Sequence, residues 1–484
     1  MKTTSAATIL LFFLAMAAAI TGLDEMEILQ IAQSQVIQAR YWAETSVSFK
    51  DSIKCHDAVN GDAALRDCGK LYGESQFRLS QMLSKESTYT RDDAHTWLSA
   101  VMINHRTCMD ELKEKEYHVD HDVERNLTTL LDMAIALSRS KGNEKRSQPL
   151  EEGSDGGGLL GSWNAAGSKV DFTVAQDGSG SHKTIKEALD ALAAMDHKRP
   201  SRAVIYVKSG VYSEKVQILQ AMNNVMLVGD GIDKTIVTGE RDVASAGSLL
   251  SSSTVDVSGD GFWARDITFE NTAGPSKHQA VALKVSSDKS VFYKCSFKGY
   301  QDTLYVHSNR QFYRQCQIYG TVDFIFGDAA AVFQDCDIFV RKPMPGQFNS
   351  ITAQGRDRAD EPTGIVIHGS RVRPDSDLSA DLGSFKTYLG RPWKQYSKTV
   401  FMKTDLDELI EPKGWREWDG SYALSTLFYG EYMNTGSGAS TDNRVSWPGF
   451  HVLGEDEARA FTVGRFMDGD SWIPTTGVPY WGGI

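Results

Sequence analysis

A short repeat restricts the fold of this chain more than any other feature of the sequence. The segments FYKCSF (292–297), FYRQCQI (312–318) and VFQDCDI (332–338) resemble one another, and their cysteines are 21 and 20 residues apart. A period near 20 residues, made of short strands and turns, is typical of a parallel β-helix, in which each coil stacks on the coil before it. A β-propeller needs longer four-stranded units, and a β-sandwich does not repeat in this way. We therefore predict an all-β parallel β-helix for residues 169–484.

Residues 24–140 follow a helical pattern instead. ALRDCGKLYGESQFRLSQML and DDAHTWLSAVMINHRTCMDEL place apolar residues three and four positions apart, and Asp92-Asp93 stands where a helix start favours negative charge. This pattern predicts an all-α helical bundle. Residues 141–168 are rich in Gly, Ser and charge, which predicts an exposed linker. Its dibasic pair Lys145-Arg146 is either a surface charge cluster or a processing site.

Residues 1–23 are predicted to be a secretory signal peptide. A Lys near the start is followed by an apolar run from Ile9 to Ile20 and then by small residues. The run is too short to span a bilayer comfortably, although an uncleaved anchor is the alternative. Export agrees with a glycosylation sequon at Asn126. The formal net charge of −12 argues against capture of nucleic acid.

The chain has six cysteines and no CxxC motif, which argues against a zinc ribbon or a thioredoxin-like site. In an oxidising compartment some cysteines should pair. Cys68 and Cys108 could link two neighbouring helices if the geometry allows it. Cys316 and Cys336 are about one coil apart, and equivalent positions on adjacent coils lie about 4.8 Å apart, so we expect a second disulfide there. Cys55 has no obvious partner.

The same period brings two acidic residues together. Asp302 and Asp323 are 21 residues apart, so they should stack on adjacent coils and face the same side. Two carboxylates held that close cannot both ionise freely, and one pKa should rise. Such a pair can serve glycoside hydrolysis or acyl transfer through a carboxylate nucleophile, or it can be purely structural.

Two glutamines favour acyl chemistry. Gln301 is next to Asp302, and Gln279 lies about one coil earlier. Their side-chain amides could form an oxyanion hole, which ester hydrolysis needs and glycoside hydrolysis does not. In LGRPW, Arg391 could orient a carboxylate and Trp393 could support a sugar ring. A serine hydrolase is unsupported because no GxSxG motif occurs, and the histidines of HVDH (118–121) suggest a solvated face more than a metal site.

Several motifs together resemble plant-type pectin methylesterases (pectinesterases). They are FTVAQDGSGSHKTIKEAL, HQAVAL, GYQDTLYVH, GTVDFIFG, LGRPW and SWPGFHV, in that order from about residue 171 to near the C-terminus. The helical half, with ALRDCGKLYGES and TWLSAVMINHRTCMD, is similar to the invertase and pectin methylesterase inhibitor domain. The resemblance implies a right-handed parallel β-helix that hydrolyses methyl esters of polygalacturonan to free carboxylates and methanol, without a metal or cofactor.

The resemblance also implies roles for individual residues. Asp323 would be the nucleophile, and Asp302 would protonate the leaving methoxide and later activate water. Gln279 and Gln301 would stabilise the anionic intermediate, and Arg391 would hold Asp323. Trp393, Tyr305 and Phe326 would line the sugar cleft. Core packing explains the last two equally well. Leu249 stands where the family often has a substrate-contacting Thr, and GGGLLGSW lacks the arginine of the usual processing site.

The expected setting is the cell wall. We expect a secreted monomer that acts on methyl-esterified pectin, has no nucleic-acid partner and leaves no membrane segment after signal removal. A proteinaceous inhibitor or the chain's own pro-region is the expected protein partner. Two alternatives stay open at this stage: a β-helix glycosidase or lyase on polygalacturonate, and a catalytically inactive wall-binding protein.

Overall fold

The computed structural model describes residues 24–51, 59–117, 121–140 and 158–484. It divides into two compact units, Met1–Lys145 and Arg146–Ile484, which we describe separately. Several sequence predictions lie outside the described residues: the signal peptide, Cys55, His118, the Lys145-Arg146 pair and the first part of the linker, residues 141–157. No helix in the described ranges is both long and apolar enough to cross a membrane.

The described part of the first unit consists of long helices, as the apolar spacing predicts. They are α1 (Glu25–Asp51), α2 (Val59–Leu83), α3 (Arg91–Glu114) and α4 (His121–Ser140). Helix α3 begins with a capping box, in which the Thr90 side chain accepts from the Asp93 N–H and the Asp93 carboxylate accepts from the Thr90 N–H. The acidic start predicted at this position is confirmed.

A disulfide joins Cys68 on α2 to Cys108 on α3, with their Cα atoms 4.8 Å apart, so this predicted pairing is confirmed. Asn126 lies within α4. Its side chain is outside the described residues, and glycosylation there stays a prediction.

The second unit is built on three sheets in which every strand pair is parallel. The eleven-stranded sheet contains β1 (Phe172–Val174), β2 (Ala203–Val207), β5 (Val225–Val228), β8 (Trp263–Arg265), β11 (Ser290–Tyr293), β14 (Arg310–Arg314), β17 (Ala330–Gln334), β20 (Gly364–His368), β23 (Lys398–Met402), β25 (Phe428–Tyr432) and β26 (Phe450–Val452). The eight-stranded sheet contains β3 (Gly210–Ser213), β6 (Thr235–Gly239), β9 (Thr268–Asn271), β12 (Ser296–Lys298), β15 (Gln317–Gly320), β18 (Asp337–Val340), β21 (Arg371–Pro374) and β24 (Asp405–Leu406). The seven-stranded sheet contains β4 (Val216–Ile218), β7 (Val255–Val257), β10 (Leu283–Val285), β13 (Leu304–Val306), β16 (Ile325–Gly327), β19 (Asn349–Gln354) and β22 (Thr387–Gly390).

From β2 to β22, each coil contributes one strand to each sheet, which makes the unit a parallel β-helix. The coil formed by β13, β14 and β15 stacks in register on the next, as the pairs Leu304 with Ile325, Phe312 with Val332 and Ile318 with Ile338 show. The predicted fold is confirmed. Short helices connect or cover the coils: α5 (Leu159–Ser162), α6 (Ile185–Ala193), α7 (Val243–Ala246), α8 (Leu249–Ser252), α9 (Ser376–Ser379), α10 (Glu455–Arg459) and α11 (Val463–Phe466).

Side chains that point into the β-helix form one continuous core. Because stacked coils are in register, side chains at equivalent positions of successive coils stack on one another. Phe292, Tyr313 and Phe333 stack nearly face to face, with ring centroids 4.8 and 4.4 Å apart. A second apolar cluster covers the outer face of the eleven-stranded sheet. Leu160 and Trp163, from the end of the predicted linker, are buried in it.

The predicted disulfide between Cys316 and Cys336 is wrong. Together with Cys295, both are free, buried thiols at equivalent corners of successive coils. In-register stacking points their side chains the same way into the core, where Cys316 Sγ donates to the Phe292 carbonyl at 3.4 Å and Cys336 Sγ to the Tyr313 carbonyl at 3.6 Å. Burial also raises the pKa of the Cys316 and Cys336 thiols, and disulfide formation requires the thiolate.

We expect these thiols to be unreactive until the protein unfolds. Treatment of the native protein with iodoacetamide should leave Cys295, Cys316 and Cys336 unmodified, and the same treatment in denaturant should alkylate all three, as read by peptide mass spectrometry. Peptides that contain Cys68 and Cys108 provide the control, since they should stay linked until a reductant is added. A linked Cys316–Cys336 peptide in an unreduced digest would contradict the structure.

Candidate active site

Two aspartates occupy equivalent positions on neighbouring coils of the seven-stranded sheet. Asp302 lies just before β13 and Asp323 just before β16, and the Asp302 N–H donates to the Val322 carbonyl at 3.1 Å. Adjacent strands lie about 4.8 Å apart, so the two residues stack as the 21-residue interval predicts. Both have left-handed backbones, with φ of 62° and 53°. Their exposed fractions are 6% and 5%, so water screens the pair weakly.

Arg391 holds one member of the pair. It follows β22, where its N–H donates to the Thr352 carbonyl at 3.0 Å. Its Nε lies 2.9 and 3.1 Å from the two carboxylate oxygens of Asp323, and its Nη2 lies 2.6 Å from Oδ2. Burial by itself would lower the pKa of Arg391, but the hydrogen bond and the charge of Asp323 outweigh it and raise that pKa. This fork-to-carboxylate contact stabilises Asp323 as an anion.

Asp302 is in the opposite electrostatic situation. Burial and then the nearby charge of Asp323 raise the pKa of Asp302 well above its ordinary value. The charge of Arg391 and a hydrogen bond from the Gln279 side chain oppose this rise without cancelling it. The pair therefore combines a carboxylate at Asp323 with a carboxyl at Asp302 that retains its proton at higher pH than an ordinary aspartate.

The two glutamines lie on neighbouring coils beside the pair. An isolated parallel bridge pairs Gln279 with Gln301, and the Ala280 N–H donates to the Gln301 carbonyl at 3.2 Å. Both glutamines are half-buried. Their amide groups are thus available at the edge of the pair, where an oxyanion hole requires donors.

Three aromatic side chains form a cluster on the outer face of the same sheet. Tyr305 and Phe326 stack with centroids 4.3 Å apart, and Trp393 meets them edge-on at 6.4 and 6.0 Å. Tyr305 and Phe326 are only 2% and 3% exposed, which leaves them little surface for a sugar, and substrate contact there stays a prediction. Trp393 is half-buried, and a Cβ at Gly355 would lie 2.7 Å from its ring, so glycine allows its close approach.

A second group of side chains surrounds Arg391, and no sequence motif predicted it. Arg391 Cζ lies 4.2 Å from the ring centroid of Trp418 and 5.1 Å from that of Phe348. Trp418 is 37% exposed, unlike most tryptophans of this chain. Arg416 also lies over the ring of Phe348, with Cζ 4.0 Å from the ring centroid. The only sequence signal for this group is GWREWDG (414–420), which sets a Trp and an Arg in a turn rich in Gly and Asp.

Most of the predicted site residues come together in this region. The structure brings Asp302, Asp323 and Arg391 into one electrostatic unit, sets Gln279 beside it and positions Trp393 at its edge. Leu249 begins the short helix α8 and is half-buried. That Leu249 removes a substrate contact stays a prediction.

Two family models match the chain. The Pectinesterase model matches residues 171–470, and the model of the plant invertase/pectin methylesterase inhibitor matches residues 16–137. A probable pectinesterase/pectinesterase inhibitor 36 of Arabidopsis thaliana is 52% identical, over 100% of this chain and 99% of its own.

Solved structures agree with these matches. A pectin methylesterase from carrot is 50% identical, with a TM-score of 0.64 over 66% of this chain and 100% of its own. A pectin methylesterase in complex with a hexasaccharide is 29% identical, with a TM-score of 0.51 over 62% of this chain and 97% of its own. On this evidence the chain belongs to the pectinesterase family and carries an inhibitor-type helical domain ahead of its β-helix.

Proposed function

We propose that this protein hydrolyses methyl esters of polygalacturonan, releasing methanol and leaving free carboxylates on the polymer, with Asp323 as nucleophile. The observation that carries the proposal is the division of labour within the aspartate pair. Arg391 forms a two-point contact with Asp323, while burial and the charge of Asp323 raise the pKa of Asp302. A stable carboxylate beside a protonated carboxyl is the combination that acyl transfer with a poor leaving group needs.

In the first step the Asp323 carboxylate attacks the ester carbonyl carbon. The carbonyl oxygen becomes an anion, and the side-chain N–H groups of Gln279 and Gln301 donate hydrogen bonds to it. As the bond to methoxide breaks, Asp302 transfers its proton to the departing oxygen and methanol leaves. The product of this step is an anhydride between Asp323 and the galacturonate carbonyl.

In the second step Asp302, now a carboxylate, removes a proton from a water molecule. The resulting hydroxide attacks the substrate carbonyl of the anhydride, and the Asp323 carboxylate is the leaving group. Asp302 has regained its proton, and the new galacturonic acid group ionises in water. The cycle balances as ester plus water giving acid plus methanol, and both proton transfers of the catalytic steps go through Asp302.

The proposed setting is the cell wall of a plant. The signal-like N-terminus and the family membership support secretion of a monomeric enzyme that acts on methyl-esterified pectin. Two candidates for a restraining protein partner are a separate inhibitor protein and the chain's own helical domain, which matches the inhibitor model. Release of that domain would require a cut in the linker 141–168.

Asp323→Asn should reduce methanol release from highly methylated pectin by about 10³-fold or more, because the amide is nearly isosteric but is not a nucleophile. Methanol, new reducing ends and unsaturated products should be followed in parallel on the secreted protein. Asp337→Asn is a control for the chemical change, since Asp337 lies on the eight-stranded sheet, where it pairs with Arg371, and its variant should retain methanol release. Substantial residual turnover in Asp323→Asn would reassign the nucleophile. Reducing ends or unsaturation without methanol in the unaltered protein would favour a glycosidase or a lyase.

The raised pKa of Asp302 should also be visible in stability. When the pKa of a carboxyl is higher in the folded than in the unfolded protein, ionisation of that carboxyl destabilises the fold. The free energy of unfolding therefore falls as the pH rises towards the folded pKa. Asp302→Asn removes this loss. We therefore expect the melting temperature of the variant to rise relative to that of the unaltered protein as the pH increases above about 4, the ordinary aspartate value.

The measurement is differential scanning calorimetry of both proteins at several pH values, with Asp337→Asn carried through the same series. A difference in melting temperature that stays constant with pH for Asp302→Asn would contradict the raised pKa.

A further inference from the structure

A second arginine lies one coil beyond Arg391. An isolated parallel bridge pairs Gly390 with Trp415, and the Arg416 N–H donates to the Gly390 carbonyl at 3.0 Å. This register sets Arg416 opposite Arg391, about 4.8 Å further along the stack. Trp415 points inward, where it is fully buried and its Nε1 donates to Glu431 at 3.1 Å. Because side chains alternate along an extended segment, Arg416 points outward, on the side of the active site.

Two aromatic rings hold the Arg416 side chain. Its Cζ lies 4.0 Å from the ring centroid of Phe348 and 5.6 Å from that of Tyr388. Phe348 is shared with Arg391, whose Cζ lies 5.1 Å from the same centroid. Stacking on a ring fixes the plane of a guanidinium. The N–H donors at the edge of the guanidinium can then bind an acceptor that lies in this plane.

The charges of the neighbouring arginines are used differently. Arg391 is paired with Asp323, and Arg444 is paired with Glu431 at 2.8 Å. Arg416 is half-buried, yet within the described parts of the chain its guanidinium donates to no carboxylate or carbonyl oxygen. A guanidinium that is partly withdrawn from water and lacks a counter-ion should bind a carboxylate more tightly than a neutral group. The two carboxylate oxygens match the two parallel N–H donors of the guanidinium.

We propose that Arg416 binds a free galacturonate carboxylate of the polymer while a neighbouring methyl ester is hydrolysed at Asp323. This inference rests on the proposed function and names the part of the substrate that the site selects. An esterified unit is neutral and offers Arg416 a weaker, uncharged acceptor, whereas a de-esterified unit forms an ion pair. Each turnover creates a carboxylate. This subsite therefore favours hydrolysis of esters that lie next to galacturonate units whose methyl group has already been removed.

The test compares two substrates with one readout, methanol release. One is a fully methyl-esterified oligogalacturonate, and the other is the same oligomer with about half of its esters removed. The unaltered protein should show a higher kcat/KM per ester on the second. Arg416→Gln should reduce the ratio of the two kcat/KM values by about tenfold or more, mainly through KM on the partly de-esterified oligomer, because a charge-assisted contact is lost. Arg416→Lys should recover part of the ratio, since it retains the charge without the fork.

Lys413→Gln is the matched control, because it removes an exposed positive charge three residues away. It should leave the ratio unchanged. Added salt should reduce the ratio for the unaltered protein and have less effect on Arg416→Gln.

A ratio in Arg416→Gln equal to that of the unaltered protein would overturn the inference, as would an equal loss of kcat/KM on both oligomers. Neither result would touch the proposed reaction. Absence of methanol from both oligomers with the unaltered protein would instead refute the proposed function, so the two failures are distinguishable.

Discussion

The in-register parallel stacking of the coils is the constraint on which the rest of this structure depends. Each coil hydrogen-bonds to the next along three sheets, and every stacked position is separated by about one strand spacing. That spacing is close enough for aromatic rings to stack in the core, as Phe292 and Tyr313 do. It also forces any two outward side chains at equivalent positions to interact, whether they attract or repel.

The active site uses this enforced proximity. Two carboxylates in water would ionise independently, but Asp302 and Asp323 are almost fully buried and one coil apart. Arg391 resolves the conflict by pairing with only one of them, so the cost of burial falls on Asp302 as a raised pKa. Two identical side chains thereby have different surroundings, and in the proposed mechanism this difference separates the acid from the nucleophile.

The same spacing explains why three cysteines at successive corners do not pair. Stacked side chains that point the same way into a packed core lie near one another, but burial shields them from oxidant and raises the pKa of the Cys316 and Cys336 thiols. Cys68 and Cys108 are on different helices that face each other, and they are bonded. The repeat period therefore identifies which cysteines are neighbours, but it does not decide whether they form a disulfide.

The sequence by itself determined the periodic part of this protein. The 20- to 21-residue interval predicted the parallel β-helix, and it predicted the stacking of Asp302 on Asp323, because a regular stack converts sequence separation into position. The apolar spacing of residues 24–140 predicted the helices in the same way. Motifs that resemble a known family added Arg391 and Trp393 to the expected site. Periodicity carried no information on what lies beside a coil.

Only the tertiary structure decided the contacts between segments that no period relates. The two-point contact of Arg391 with Asp323 joins residues 68 positions apart. Arg416 and Trp418 reach the same region from one loop, and Phe348 reaches it from another. Tyr305 and Phe326 are buried beneath Trp393 because of a close approach that Gly355 permits. These contacts depend on how loops of unequal length fold back on the stack, and loop geometry is set by packing in three dimensions, which a one-dimensional pattern does not encode.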